Sequence, residues 1–266
     1  MTATTTVPSA RRTGRDVPAG RVLARTCAAE WARLWSVRTT WWFAAAAAVV
    51  MLGIGAVAGS EAEPDGGRDA AWLASTLTAM PAQFALLALA LTAVTADHAT
   101  GGIVPTLQWT PRRGVLAAAR TLVAVGTATA LGVVLALASA VTAYLAARPA
   151  LTLPLGEGLD ALGTVAFVVA AGATLAVGLG LLLRNTAGGL VAVFLLMLVL
   201  PVLLPQFGYA WTNGLAEVLP GSGAAFLLLG EVPRMTQASS VTTMLVWAGG
   251  VLLLGVLRLL RDDANR

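Results

Sequence analysis

Ala161-Leu-Gly-Thr-Val-Ala-Phe-Val-Val-Ala-Ala-Gly-Ala-Thr-Leu-Ala-Val-Gly-Leu-Gly-Leu-Leu-Leu183 carries no charged, amide or imidazole side chain. A spanning helix needs about 20 such residues at 1.5 Å each to cross the hydrocarbon of a bilayer. Backbone left open in hydrocarbon loses its hydrogen bonds, so a helix is expected. Five more runs have the same character: Trp41–Gly59, Ala71–Ala96, Val115–Ala147, Gly189–Phe207 and Val241–Leu260. The composition agrees. Of 266 residues, 58% are hydrophobic and 11% charged, and the mean hydropathy is +0.81. A soluble domain carries about 25% charged residues. Too few charges remain to cover a globular surface. The fold class expected is an all-α membrane protein with six transmembrane helices spread over residues 41–260.

Arginine placement orients the spans. All seventeen basic residues are Arg. With the N-terminus inside, only Arg68, Arg148 and Arg234 fall outside, together with eight of the thirteen acids. The reverse orientation breaks the positive-inside rule in nearly every loop. Both termini are therefore expected in the cytosol, in a cell (inner or plasma) membrane. Ala56-Val-Ala58 has the form of a signal-peptidase site, but residues 1–40 precede that run, far more than an ordinary leader has. The first run is expected to stay as a span.

Residues 1–20, rich in Thr, Pro and Arg, read as a disordered tail, and 261–266 as a short cytosolic one. Between tail and first span, 21–40 is expected to form an amphipathic interfacial helix. Leu23, Cys27, Trp31, Leu34 and Trp35 share one face, and Arg21, Arg25 and Arg33 lie on the other. Trp31, Trp35, Trp41 and Trp42 are the expected inner interfacial anchors, with Trp72 and Trp211 at the outer interface. Pro81, Pro201 and Pro205 interrupt the second and fifth spans and can kink them. Gly172, Gly178 and Gly180 in the fourth span, and Gly249, Gly250 and Gly255 in the sixth, offer close helix approach. Phe226–Leu229 is too short to span. Set among glycines, 217–231 reads as a re-entrant or interfacial element.

The span centres carry no charge. Gln83, Ser and Thr are the strongest polar groups at depth, and Arg120 can snorkel to the interface. Ion-coupled carriers usually place an acid or His in the membrane, so the energy for any transport is expected from elsewhere. No enzyme is legible either. A Walker A motif needs a Lys, and this chain has none. The only His, His98, and Ser222 are predicted on opposite sides, so no dyad forms. Cys27 is alone, which leaves no intrachain disulfide and no Cys-clustered metal site. No catalytic, cofactor-binding or metal-binding residue is assigned.

One polar stretch remains, the loop 97–114. Thr100 is a plausible N-cap for a short helix from Gly101, which Pro105 would interrupt. Thr110-Pro111 is an N-cap followed by Pro at the first helical position, so a helix begins there and runs through Arg112, Arg113 and Arg120 into the third span. Taken alone, Arg112 and Arg113 could simply hold lipid headgroups.

Two stretches carry a family resemblance. Glu30-Trp-Ala-Arg-Leu-Trp-Ser-Val-Arg-Thr-Thr-Trp-Trp42 resembles the approach to the first span in membrane subunits of ABC-2 type transporters. Ala96-Asp-His-Ala-Thr-Gly-Gly-Ile103, followed by Thr110-Pro-Arg-Arg-Gly-Val-Leu-Ala-Ala-Ala-Arg120, resembles their loop after the second span. Asp97 stands where Glu is commoner, Ala99 where a polar or basic residue is common, and Pro105 is unusual. The resemblance implies that the loop is a coupling helix docking into a separate cytosolic ATPase, with Asp97, Thr100, Gly101, Pro111, Arg112 and Arg113 at the contact. It also implies a second permease subunit, identical or not, ATP bound by the partner alone, export as the direction, and a re-entrant hairpin at Phe226–Leu229. A secondary carrier or channel not driven by ATP is the main alternative. A non-transporting membrane partner is the third. The cargo is not legible.

Overall fold

A computed structural model describes residues 18–62, 70–99, 113–148, 150–230 and 232–261. Among them every named element is a helix. In chain order these are α1 (Ala19–Ser36), α2 (Arg38–Ser60), α3 (Trp72–Ala99), α4 (Arg113–Ala146), α5 (Leu155–Leu183), α6 (Thr186–Phe207), α7 (Ala210–Glu217), α8 (Pro220–Leu229) and α9 (Gln237–Arg261). Six of them, α2 to α6 and α9, are long and apolar enough to cross a membrane. This is the architecture of a multi-pass membrane protein. The tails at 1–17 and 262–266, and most of the polar loop, lie outside the described residues.

Burial ranks the spans. In its most apolar segment α5 is 72% buried and α3 61%, against 17–28% for α2, α4, α6 and α9. The two central helices are therefore wrapped by four that turn apolar faces outward. Val49, Ile54 and Val57 of α2 and Val246, Leu253 and Leu254 of α9 are exposed on those faces. Such a surface requires hydrocarbon around it.

Small residues set the closest crossings. A methyl group placed on Gly178 of α5 would stand 2.6 Å from the Leu252 amide nitrogen of α9, and one on Gly255 would stand 2.6 Å from the Gly178 carbonyl oxygen. Gly249 and Gly250, by contrast, have open space beside them and take no part in packing. A second crossing joins α2 to α4: Gly55 lies against Ser139 and Gly59 against Ala143. Ser139 Oγ donates to the Met51 carbonyl at 2.9 Å and lies 3.2 Å from Thr78 Oγ1, so one buried hydroxyl ties α2, α3 and α4.

The prolines act unequally. Helix α3 runs unbroken through Pro81. Helix α6 does not: it passes from α-helix (Thr186–Phe194) to a π turn (Leu195–Val199), a short α segment and a 3-10 turn (Leu204–Phe207). Pro201 and Pro205 have no amide hydrogen for the carbonyls four residues back, Met197 and Pro201, so the regular ladder cannot continue. Gly221 of α8 packs directly on the Met197 carbonyl, in space only a glycine leaves.

Two further boundaries differ from the sequence reading. Helix α5 starts at Leu155, ahead of Ala161, because Pro154 caps it and Gly158 admits the Trp72 ring. Trp72 is buried, its Nε1 donating to the Pro154 carbonyl at 2.9 Å, and does not face headgroups. The segment 217–231 resolves into the end of α7 and the whole of α8. The latter is a helix whose first half is buried against α6 and α9, closed by Gly230 in the left-handed region.

Candidate functional site

Charge is sorted by end. The start of α2 and α4 and the end of α5 and α9 carry Arg38, Arg113, Arg120, Arg184, Arg258 and Arg261. At the other end stand Glu61, Glu157, Asp160 and Glu217, with Arg148 and Arg234. The site of interest lies at the basic end, where the polar loop leaves α3 and re-enters α4.

Helix α1 builds one wall. The chain breaks at Val37, whose backbone is extended. Thr40 Oγ1 donates to the Leu34 carbonyl at 2.7 Å and Trp41 Nε1 to the Trp35 carbonyl at 3.1 Å, so α2 side chains serve the open C-terminus of α1. The inward stripe of α1 is Leu23, Cys27, Glu30 and Leu34. This is an apolar stripe at helical spacing with an acid in it. Trp31, expected on that face, is half exposed. Trp31, Trp35 and Trp41 form a chain of ring contacts at 5.7 and 5.0 Å, with Trp42 the most exposed of the four anchors.

Glu30 is buried because two arginines meet it. Arg33 Nε donates to Glu30 Oε2 at 2.8 Å, and Arg120 Nε donates to Glu30 Oε1 at 3.0 Å. The same two arginines hold Asp97: Arg33 Nη1 to Oδ1 at 3.0 Å, and Arg120 Nη2 to Oδ2. The four side chains close a ring in which each carboxylate gives one oxygen to each guanidinium. Arg33 Nη2 also donates to the Ala93 carbonyl at 2.5 Å. Side-chain exposure is 2% for Arg120, 9% for Glu30, 16% for Asp97 and 29% for Arg33. Two acids and two bases sum to zero, which is what makes their burial tolerable: each loses water and gains charged hydrogen bonds.

The ring corrects two expectations. Arg120 does not snorkel to an interface but is among the most buried polar groups. Arg33 does not point away from the bundle but into Asp97. Asp97 itself lies in the last turn of α3, not in the loop, and Arg113 is the first residue of α4. Thr100, Gly101, Pro111 and Arg112 lie outside the described residues. Of the six residues expected at a coupling contact, Asp97 and Arg113 can be placed, at the two roots of the loop. The residues missed as a group are Glu30, Arg33 and Arg120. The signal was available: an acid in the apolar stripe of α1, an arginine seven residues into an apolar helix, and an acid at the end of the preceding one.

The ring fastens α1, α3 and α4 together where the polar loop begins and ends. Compared with models of known protein families the chain matches none, and no curated protein sequence matches it.

Proposed function

We propose that this chain is the membrane permease subunit of an ATP-driven exporter of the ABC-2 type, coupled through residues 97–114 to a separate cytosolic ATPase. The observation that carries the reading is the ion ring at the loop's root. A loop pushed by a partner needs a stiff connection to the spans, and Glu30, Arg33, Asp97 and Arg120 provide one. The stretches that resemble the family, residues 30–42 and 96–103 with 110–120, hold all four of the ring's corners and most of the loop between. The arginine-rich end then faces the cytosol, as the positive-inside rule requires. Uncharged span centres and the lack of any Lys leave the energy source to the partner, which binds the ATP. Helix α1 lies along the inner interface, and α8 is the re-entrant element of the opposite face. Two permease subunits pair with two ATPases, and closure of the ATPases tilts the spans through the loops.

Affinity purification of the tagged chain from its native membranes tests this. A P-loop ATPase is expected to co-purify in stoichiometric amount. Replacing Arg112 and Arg113 together with Ala is expected to weaken that association by roughly tenfold or more, the worth of lost charged hydrogen bonds. Membrane insertion should be unchanged. Full assembly and efflux by the double variant would rule the two arginines out as the coupling contact.

A further inference from the structure

The end of the bundle remote from the ion ring holds a cavity of about 570 Å³. It lies between the broken part of α6, the short helices α7 and α8, the turn before α9, and Met80 of α3. Its size falls within the roughly 300–1,000 Å³ of small-molecule sites. The walls are largely apolar, formed by Met80, Met197, Pro201, Val202, Ala225 and Pro233.

The polar groups are unevenly matched. Asn213 Oδ1 is buried and has no hydrogen-bond partner. Glu217 stands one helical turn further along α7, on the same face. The Asn213 oxygen is thus an acceptor without a donor. The cation of the lining, Arg234, is exposed and its Nη1 lies 3.9 Å from Glu217 Oε1. That is well beyond the roughly 2.7–2.9 Å of a tight charged hydrogen bond, so Glu217 keeps much of its bonding capacity.

We infer that this cavity binds an amphipathic amine, its apolar body against Met80, Met197 and Ala225 and its ammonium group between Asn213 and Glu217. An ammonium group brings only donors and a positive charge. It meets the unpartnered Asn213 oxygen and balances the loosely paired Glu217 carboxylate. A carboxylate or phosphate headgroup would set negative charge beside Glu217 and bring no donor to the Asn213 oxygen. The binding is a property of the single chain and does not depend on an ATPase partner.

The test uses the full chain in lipid nanodiscs and an alkylamine with a diazirine on its hydrocarbon chain, with the labelled peptides mapped by mass spectrometry. Labelling is expected to concentrate in α6 around Met197–Gln206 and in α7–α8 around Asn213–Ala225. Excess dodecylamine should compete at least about tenfold better than dodecanoate. Glu217→Gln should weaken the competition by about tenfold. Arg234→Ala, which leaves Glu217 to the ligand, should strengthen it, and Ala225→Trp should abolish the labelling by filling the cavity. Glu217→Gln changes a partly exposed side chain at constant size, so it reports even where Ala225→Trp fails to fold. Labelling spread evenly over the outward faces of α2 and α9 would overturn the inference. So would equal competition by dodecanoate, indifference to Glu217→Gln, or weaker binding by Arg234→Ala.

Discussion

Arg120→Ala is expected to cost about 3–5 kcal/mol of stability, because it leaves Glu30 and Asp97 buried with only Arg33 between them. The loss is one of charge balance as much as of contact. The ring goes from neutral to net negative in a site where Glu30 is 9% exposed and Asp97 16%. Water cannot reach both carboxylates, and Arg33, already shared between them, cannot serve the oxygens that Arg120 leaves. The signature is therefore non-additive. Adding Glu30→Gln to Arg120→Ala restores neutrality with the Arg33–Asp97 pair intact. The double variant should be more stable than the sum of the two single losses by about 0.5–3 kcal/mol, the range for residues in one network. Thermal unfolding in detergent micelles, followed by size-exclusion chromatography of a fluorescent fusion, measures all three variants. Strict additivity would show that the four side chains do not act as one unit.

The second large effect concerns backbone approach. Gly178→Leu should destabilise by about 1–3 kcal/mol or more, since its Cβ would enter the Leu252 amide of α9 and neither backbone can yield without separating the helices. Gly249→Leu on the same helix α9 meets nothing within 4 Å and should stay within about 0.5 kcal/mol of the parent. The same micelle assay separates the two. Equal losses would mean that the α5–α9 crossing is looser than the Gly178–Gly255 contact requires.

The glycine pair illustrates what the sequence could and could not say. Six spans were legible because hydrocarbon admits so few backbone solutions, and length and polarity suffice to find them. Rotation about each helix axis was not legible. Gly178, Gly249, Gly250 and Gly255 look alike in sequence, yet two make a crossing and two face open space. The prolines show the same limit: Pro81 is absorbed within α3, whereas Pro201 and Pro205, four residues apart, break two successive turns of α6. In the candidate site Asp97 was singled out for its place in a loop motif. Glu30, Arg33 and Arg120 each stand out in sequence, but their pairing with Asp97 is not legible, because they lie on two other helices and pairing across helices is set by packing that no single segment encodes. The cavity at the opposite end was invisible for the same reason, since its lining is gathered from five separate segments.

In the proposed function an outside ATPase drives this chain through the polar loop. The most direct measurement places a photo-crosslinking amino acid at position 101 or 110 and identifies what it captures in native membranes. A crosslink to a P-loop ATPase is expected at both positions, strengthened or weakened when ATP is trapped, with no such product from a probe at position 61 on the opposite end of the bundle. Capture of lipid alone at 101 and 110, with efflux persisting after ATP depletion, would contradict it.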